Sequence, residues 1–361
     1  MNAHRIWILG ATGRTGRAIA ARLAAGQMPP VLVGRDPARL RELAGRLGEG
    51  VRTVVAGSVD AVVTRIGRQA PTVVVNTIGP FTETAAPIAR AGPPGTHYVD
   101  LANELTAVTG LLGLRDEAVA AGRCLVTGAG FGVLATESVV RKLCEDRPPA
   151  MRVRVDAVPL AEPGAGPFGP ALAASIVDSI ALGGRRYEHG RLVRARLGAD
   201  AERLALPDGS TVHTVAVASG ELEAARRAGG APFVVAASSM LPAGRAIRAV
   251  LPMAAVLLSC PVLGRAAKRR LAGVRMPPGE RGGEFSWARA RVQDADGSTR
   301  MGWLRTGRAG EFTAAVAVEV ATRLARGEGR PGVHTPGFLF GPELAVKAGG
   351  RFLLAGDGET A

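Results

Sequence analysis

Seven residues near the amino terminus, Gly10-Ala11-Thr12-Gly13-Arg14-Thr15-Gly16, have the composition of a phosphate cradle. At that spacing the chain can turn tightly, bring backbone N–H groups against a pyrophosphate, and open a helix whose positive dipole end faces the anion. Glycine spacing alone is weak here, because 49 of the 361 residues are glycine. The chemistry also needs a strand before the turn and a helix after it. Both are present: the run Arg5-Ile6-Trp7-Ile8-Leu9 reads as a strand, and Arg17–Ala25 has helical composition. A second set, Asp100, Asn103 and Glu104, follows an apolar run and places two carboxylates around a neutral amide. Such a trio at a strand end can orient a substrate or move a proton, so Asp100, Asn103 and Glu104 are the candidate catalytic residues. Asp100 or Asn103 can equally cap the helix that follows.

The next strand, Pro30–Val33, ends in Gly34-Arg35-Asp36, where dinucleotide folds meet the adenosine ribose. A carboxylate there binds the 2′-hydroxyl of NAD, whereas an arginine accommodates the 2′-phosphate of NADP. Gly34 leaves room and Arg35 supplies a two-pronged guanidinium. Asp36 precedes Pro37, the residue that suits the first helical position, so Asp36 is read as a helix cap and the cofactor as NADP.

These groups need elements to hold them. Strands at Val51–Val55, Thr72–Val75, His97–Leu101 and Arg123–Thr127 alternate with helices at Pro37–Leu47, Val59–Arg68, Thr84–Ala91 and Thr106–Ala121. Apolar strands in repeated β-α units predict an α/β, Rossmann-type doubly wound parallel sheet of about six strands. Ligands of such sheets lie beyond the carboxyl ends of the strands, which adds Asn76, Thr77, Ile78, Gly79, Pro80 and Phe81, and then Gly130 and Phe131, to the cofactor-binding set. Gly130-Phe131-Gly132 can equally be an ordinary turn. Tyr98, inside a strand, is read as packing; Glu137 and Lys142 are read as solvated.

After Pro148-Pro149 the pattern changes. Arg152–Val158, Leu192–Arg196 and Thr211–Val217 read as strands, and Ala171–Leu182 as a helix. Segments 284–293 and 299–305 flank Asp294-Ala295-Asp296-Gly297, a hairpin signal. The expectation is a second α+β domain with a mainly antiparallel sheet. A helix over Phe312–Arg326, apolar at Phe312, Val316, Val320 and Leu324, is expected to pack back on the first domain. The domains are expected at 1–133 (NADP-binding), 134–311 (substrate and capping) and 312–361 (carboxyl-terminal helix and tail), with a glycine- and proline-rich loop at 159–170.

Four ordered blocks carry a resemblance: Gly10–Gly16; Val75-Asn76-Thr77-Ile78-Gly79-Pro80-Phe81; Gly95-Thr96-His97-Tyr98-Val99-Asp100-Leu101; and Gly128-Ala129-Gly130-Phe131-Gly132. Together they resemble the saccharopine dehydrogenase-like family, which includes the trans-acting enoyl reductases. The likeness is strongest over the first 140 residues and resumes at Thr335–Pro342. It departs at Asp100-Leu101-Ala102-Asn103-Glu104, where relatives read D-L-T-G-E, and at Leu134-Ala135-Thr136-Glu137, where many read V-P-T-D. The resemblance implies an NADPH-dependent oxidoreductase, an enoyl or imine reductase acting on a C=C or C=N bond of a small biosynthetic substrate. It also implies that the second domain covers the nicotinamide end. The alternative is a cofactor-binding sensor or scaffold without turnover.

Composition excludes other classes. Lys+Arg 45 against Asp+Glu 31 gives a net charge of +14, yet the arginines are scattered and aromatics make up 4%, so no stacking platform for nucleic acid is expected. Three widely spaced cysteines point to a reducing, cytoplasmic setting and to no metal site. No Y-x-x-x-K pair supports short-chain dehydrogenase chemistry, and no G-x-S-x-G supports a serine hydrolase. The segment Ala246–Leu263 is apolar but holds Arg248, Pro252 and Pro261, so it reads as a buried or surface-docked helix and not a transmembrane span. That leaves peripheral membrane contact open. The expected partners are a small-molecule substrate and a second copy of the chain as a homodimer.

Overall fold

A computed structural model describes residues 6–160, 169–241, 244–274 and 283–354. Arg5 and most of the loop read over 159–170 lie outside them. Strands β1 (Ile6–Leu9), β2 (Val31–Gly34), β3 (Arg52–Val55), β4 (Val73–Asn76), β5 (His97–Asp100) and β6 (Cys124–Val126) alternate with helices. The chain then forms β7 (Arg152–Val158), β8 (Gly184–Glu188), β9 (Arg191–Ala195), β10 (Glu202–Ala205), β11 (Thr211–Ala216), β12 (Phe233–Ser238), β13 (Ser286–Gln293) and β14 (Thr299–Thr306). It returns to the first sheet with β15 (Gly332–His334) and to the second with β16 (Arg351–Leu354).

The first sheet has seven parallel strands in the order β15-β6-β5-β4-β1-β2-β3. Its continuous apolar strands have a direct cause: both faces are covered. Ile6, Ile8, Leu32, Val73, Val75 and Val99 enter one core, while Trp7, Leu9, Val31, Val33, Val74 and Tyr98 enter the opposite one. Because side chains alternate along a strand, burial on both faces makes the central strands apolar, with polar residues kept to the edge strand β3 and to strand ends such as Asn76 and Asp100. The helix Ala309–Ala325 closes the first face against the helix Arg14–Ala25, β4 and β5. Its buried positions include the expected Phe312, Val316, Val320 and Leu324. The expected helix over Thr106–Ala121 is instead two, Leu105–Leu112 and Arg115–Ala120, parted at Gly113-Leu114.

The second sheet has nine strands, in the order β10-β11-β12-β7-β13-β14-β16 with the β8-β9 hairpin attached to β12. Every pairing is antiparallel except β7 with β12. The hairpin expected around Asp294–Gly297 joins β13 and β14, with Asp294 N donating to Ser298 O (3.0 Å) and Gly297 in the left-handed region at φ +85°. Such a φ suits glycine because a Cβ would crowd the backbone. The apolar segment 246–263 is not one helix: Arg245–Ser259 and Pro261–Gly273 meet at a sharp bend.

Candidate functional site

The strand order runs outward in both directions from the β1-β4 pair, so the segments after these two strands diverge and leave a crevice. The residues there are the Gly10–Gly16 turn and Asn76–Phe81. Gly10 is at φ +72°, and a Cβ on it would lie 2.8 Å from Thr77 Oγ1. A Cβ on Gly16 would lie 2.4 Å from Gly10 O, so only glycine lets the helix Arg14–Ala25 sit this tightly on the turn. Gly13, the N-cap residue, is exposed, and no side chain caps the helix. An uncapped twelve-residue helix pointing into a glycine-walled crevice presents free N–H groups and a positive dipole end.

Asn76–Phe81 is fixed by its own polar groups. Thr77 binds Leu9 O through both its N–H (3.2 Å) and its Oγ1 (2.7 Å), tying the second loop to the first. The buried Asn76 accepts from Ile78 N (2.9 Å) and donates to the Tyr98 hydroxyl (3.1 Å). Thr84 Oγ1 closes the turn by donating to Ile78 O (2.5 Å). Tyr98 is therefore packing with a satisfied hydroxyl; burial holds its pKa well above the usual phenol value. At the end of β2, Asp36 accepts from Ala38 N (2.9 Å) and Arg39 N (3.1 Å). It caps the next helix, as its position before Pro37 predicts, while Arg35 stands exposed beside Gly34.

The β5 end divides the predicted trio. Asp100 is fully buried, and its Oδ1 accepts from Ala102 N (3.1 Å), Thr127 Oγ1 (2.9 Å) and Gly128 N (3.1 Å). It cements the loops after β5 and β6; burial pushes its carboxyl up to about 6 despite these donors. Neither Asp100 nor Asn103 caps the helix Leu105–Leu112, whose N-cap residue is Glu104 with no side-chain cap bond. Asn103 and Glu104 instead reach toward the second layer. Asn103 O accepts from Gly220 N (2.8 Å), its Nδ2 donates to Glu221 Oε1 (3.3 Å), and Glu104 Oε1 accepts from Ser175 Oγ (2.5 Å). Glu221 and Ser175 escape sequence reasoning, since their neighbours lie 118 and 71 residues away. The Glu221 carboxylate lies close over Gly132, where a Cβ would stand 2.5 Å from its Oε1. Burial raises the Glu221 carboxyl above its ordinary value.

Gly130 and Phe131 lie past β6. Phe131 is buried, meets Phe312 edge-on at 6.1 Å, and its N–H donates to Thr313 Oγ1 (3.1 Å). A single wide turn, Phe131–Ala135, leads into the helix Thr136–Leu143. On that helix Glu137, expected in solvent, is fully buried: Oε1 accepts from Thr335 Oγ1 (2.5 Å) and Oε2 from Gly337 N (2.8 Å). Burial pushes it up to about 7. The Thr335-Pro336-Gly337 segment supplies the donors. Lys142 is also largely covered, bridging Glu145 (3.3 Å) and Glu343 (2.9 Å). Among the described residues no group of three or more His, Cys, Asp or Glu could hold a metal ion. A cavity of about 820 Å³ lies elsewhere, among Arg152, Arg154, Arg186 and Phe233 on the second sheet, and shares no wall with the glycine turn.

A doubly wound parallel sheet joined to a mixed second sheet, with the glycine turn at the switch point, defines the saccharopine dehydrogenase-like fold. The likeness is seen over whole chains in the solved structure of saccharopine dehydrogenase (L-Glu forming) from Saccharomyces cerevisiae. It covers 97% of this chain and 99% of that one at a TM-score of 0.62 and 13% identity. Serine dehydrogenase from Escherichia coli is similar over 34% of this chain and 80% of its own, with 16% identity and a TM-score of 0.31. A short-chain dehydrogenase from Sphingobium yanoikuyae, solved with NADPH, is similar over 34% and 70%, with 20% identity and a TM-score of 0.30. The last two carry no weight for the whole fold. No protein-family model and no curated sequence matches the chain.

Proposed function

We propose that the protein is an NADPH-dependent oxidoreductase that reduces a C=C or C=N bond of a small biosynthetic substrate. The observation that carries this reading is the uncapped helix N-terminus behind Gly10, Gly13 and Gly16 at the switch point of the sheet. The residues present fit a dinucleotide: the Gly10–Gly16 backbone for the pyrophosphate, Arg35 for the 2′-phosphate, and Asn76–Phe81 with Gly130-Phe131 along the nicotinamide half. Asp36 is engaged as a cap, which leaves Arg35 as the charged side chain offered to the ribose. When bound, the cofactor supplies the hydride.

The rest falls to this chain's own groups. Asp100 acts as a positioning residue by fixing the loops after β5 and β6. Glu104 and Glu221, held by Ser175 and Asn103 where the two sheets' layers meet, orient the substrate or exchange its proton. The test is NADPH consumption, followed at the nicotinamide band, with a panel of enoyl and imine compounds, alongside direct cofactor titration. Turnover of one class supports the reading. Saturable NADPH binding with no turnover of any panel member points instead to a cofactor sensor; no binding at all refutes both.

A further inference from the structure

The helices Arg245–Ser259 and Pro261–Gly273 form an elbow whose apolar residues point outward. Val250, Met253, Val256, Leu257, Val262 and Leu263 are 46–72% exposed. The first four recur at spacings of three and four, so they share one side of the first helix. The chain bends by 108° between the two arms, with Val256 and Leu257 just before the bend and Val262 and Leu263 just after it. Gly264 makes the bend close: a Cβ there would lie 2.8 Å from Leu258 O. Among the described residues no single helix is long and apolar enough to cross a membrane. The inner sides of both arms pack on the helix Gly169–Leu182, where Lys268 Nζ meets Asp178 (2.7 Å).

Charge decides what fits the outer side. Residues 244–274 contain Arg245, Arg248, Arg265, Lys268, Arg269 and Arg270 and not one Asp or Glu. Arg265, Arg269 and Arg270 are exposed and have no carboxylate partner among the described residues. An apolar tip flanked by cations alone matches the boundary between anionic headgroups and acyl chains, where such helices lie flat with the apolar side inserted. Isolated exposed apolar residues need no explanation, but a contiguous patch of this kind marks an interaction surface.

We infer that the 245–273 elbow docks the protein on an anionic lipid bilayer, with Val256, Leu257, Val262 and Leu263 inserted and Arg265, Arg269 and Arg270 at the headgroups. The surface shares no residue with the nucleotide crevice, so this inference stands or falls apart from the proposed activity. It is tested by floating the full chain with vesicles of phosphatidylcholine alone and of phosphatidylcholine with phosphatidylserine, at low and raised salt. The expected result is retention on the anionic vesicles that weakens with salt. Arg265→Gln, Arg269→Gln and Arg270→Gln together should lower the partition coefficient about 100-fold, at about 5-fold per arginine. Val256→Asn, Leu257→Asn and Val262→Asn together should abolish retention while leaving the thermal melt unchanged, since all three sites are exposed. Absence of retention on anionic vesicles overturns the inference, as does retention that survives the asparagine substitutions. A dimer in light scattering that the asparagine variant splits, without vesicle binding by either form, also overturns it and makes the elbow a protein interface.

Discussion

Replacing Asp100 by alanine and by asparagine separates a loop-holding carboxyl from a proton-transferring one. Alanine leaves the N–H groups of Ala102 and Gly128 and the Thr127 hydroxyl without their acceptor inside the protein. At about 1–3 kcal/mol for each of the three buried unsatisfied groups, Asp100→Ala should destabilise the fold by roughly 3–9 kcal/mol. Asparagine keeps the acceptor oxygen and stands in for the neutral carboxyl. Burial raises the native carboxyl from 3.8 to about 6, so the folded state favours its neutral form. Its contribution is therefore fully present below pH 3.8 and lost as pH rises through about 6. The loss is about 3 kcal/mol at 1.36 kcal/mol per pKa unit. Asp100→Asn should thus be up to about 3 kcal/mol more stable than the parent at pH 7, with the gap closing toward pH 4. Urea unfolding at both pH values reads this directly, and NADPH turnover of the same variant should be unchanged. A variant that keeps its stability but loses turnover ~10²-fold or more would refute the positioning role and return Asp100 to proton transfer.

Arg35→Ala should weaken NADPH binding by about 1.5–3 kcal/mol, roughly 10- to 150-fold, and leave NADH affinity unchanged in calorimetric titration. Gly13→Val, at an exposed φ −72° position but with a Cβ 3.1 Å from Gly10 O in the turn itself, should keep the fold with a small loss of stability and lose both cofactors; normal titration would make the loop a mere turn. Glu137 rises from 4.5 to about 7, so its contribution is lost as pH climbs through about 7. Glu137→Gln, which can still accept from Gly337 N and donate to Thr335, should flatten the stability profile between pH 5 and 8 by about 3 kcal/mol.

What the sequence disclosed was what local chemistry dictates. The parallel sheet was legible because Ile6–Leu9 and the first three residues of Val73–Asn76 are buried on both faces and so are apolar. The Asp36 cap was legible because Pro37 follows it, and the β13-β14 hairpin because Asp294–Gly297 has turn chemistry. Long-range placement was not. β15 has three residues, too few for a pattern, and is defined by pairing with β6 some 200 residues earlier in the chain. Among the strands of the second sheet, β8, β10, β12 and β16 went unread, and the parallel β7-β12 pair could not be inferred from either strand alone. At the site, Glu137 looked like an ordinary helical carboxylate, since its partners Thr335 and Gly337 lie at the far end of the chain. Glu221 and Ser175 likewise gain meaning only where the two sheets' layers meet.

The central claim, a nicotinamide site with an arginine at the ribose, is tested most directly by titrating the unmodified protein with NADPH and NADH under the same conditions. NADPH should bind about 10- to 150-fold more tightly, the share that one charge-assisted contact to the 2′-phosphate supplies. Equal affinities would contradict the role given to Arg35, and no binding of either cofactor would contradict the site itself.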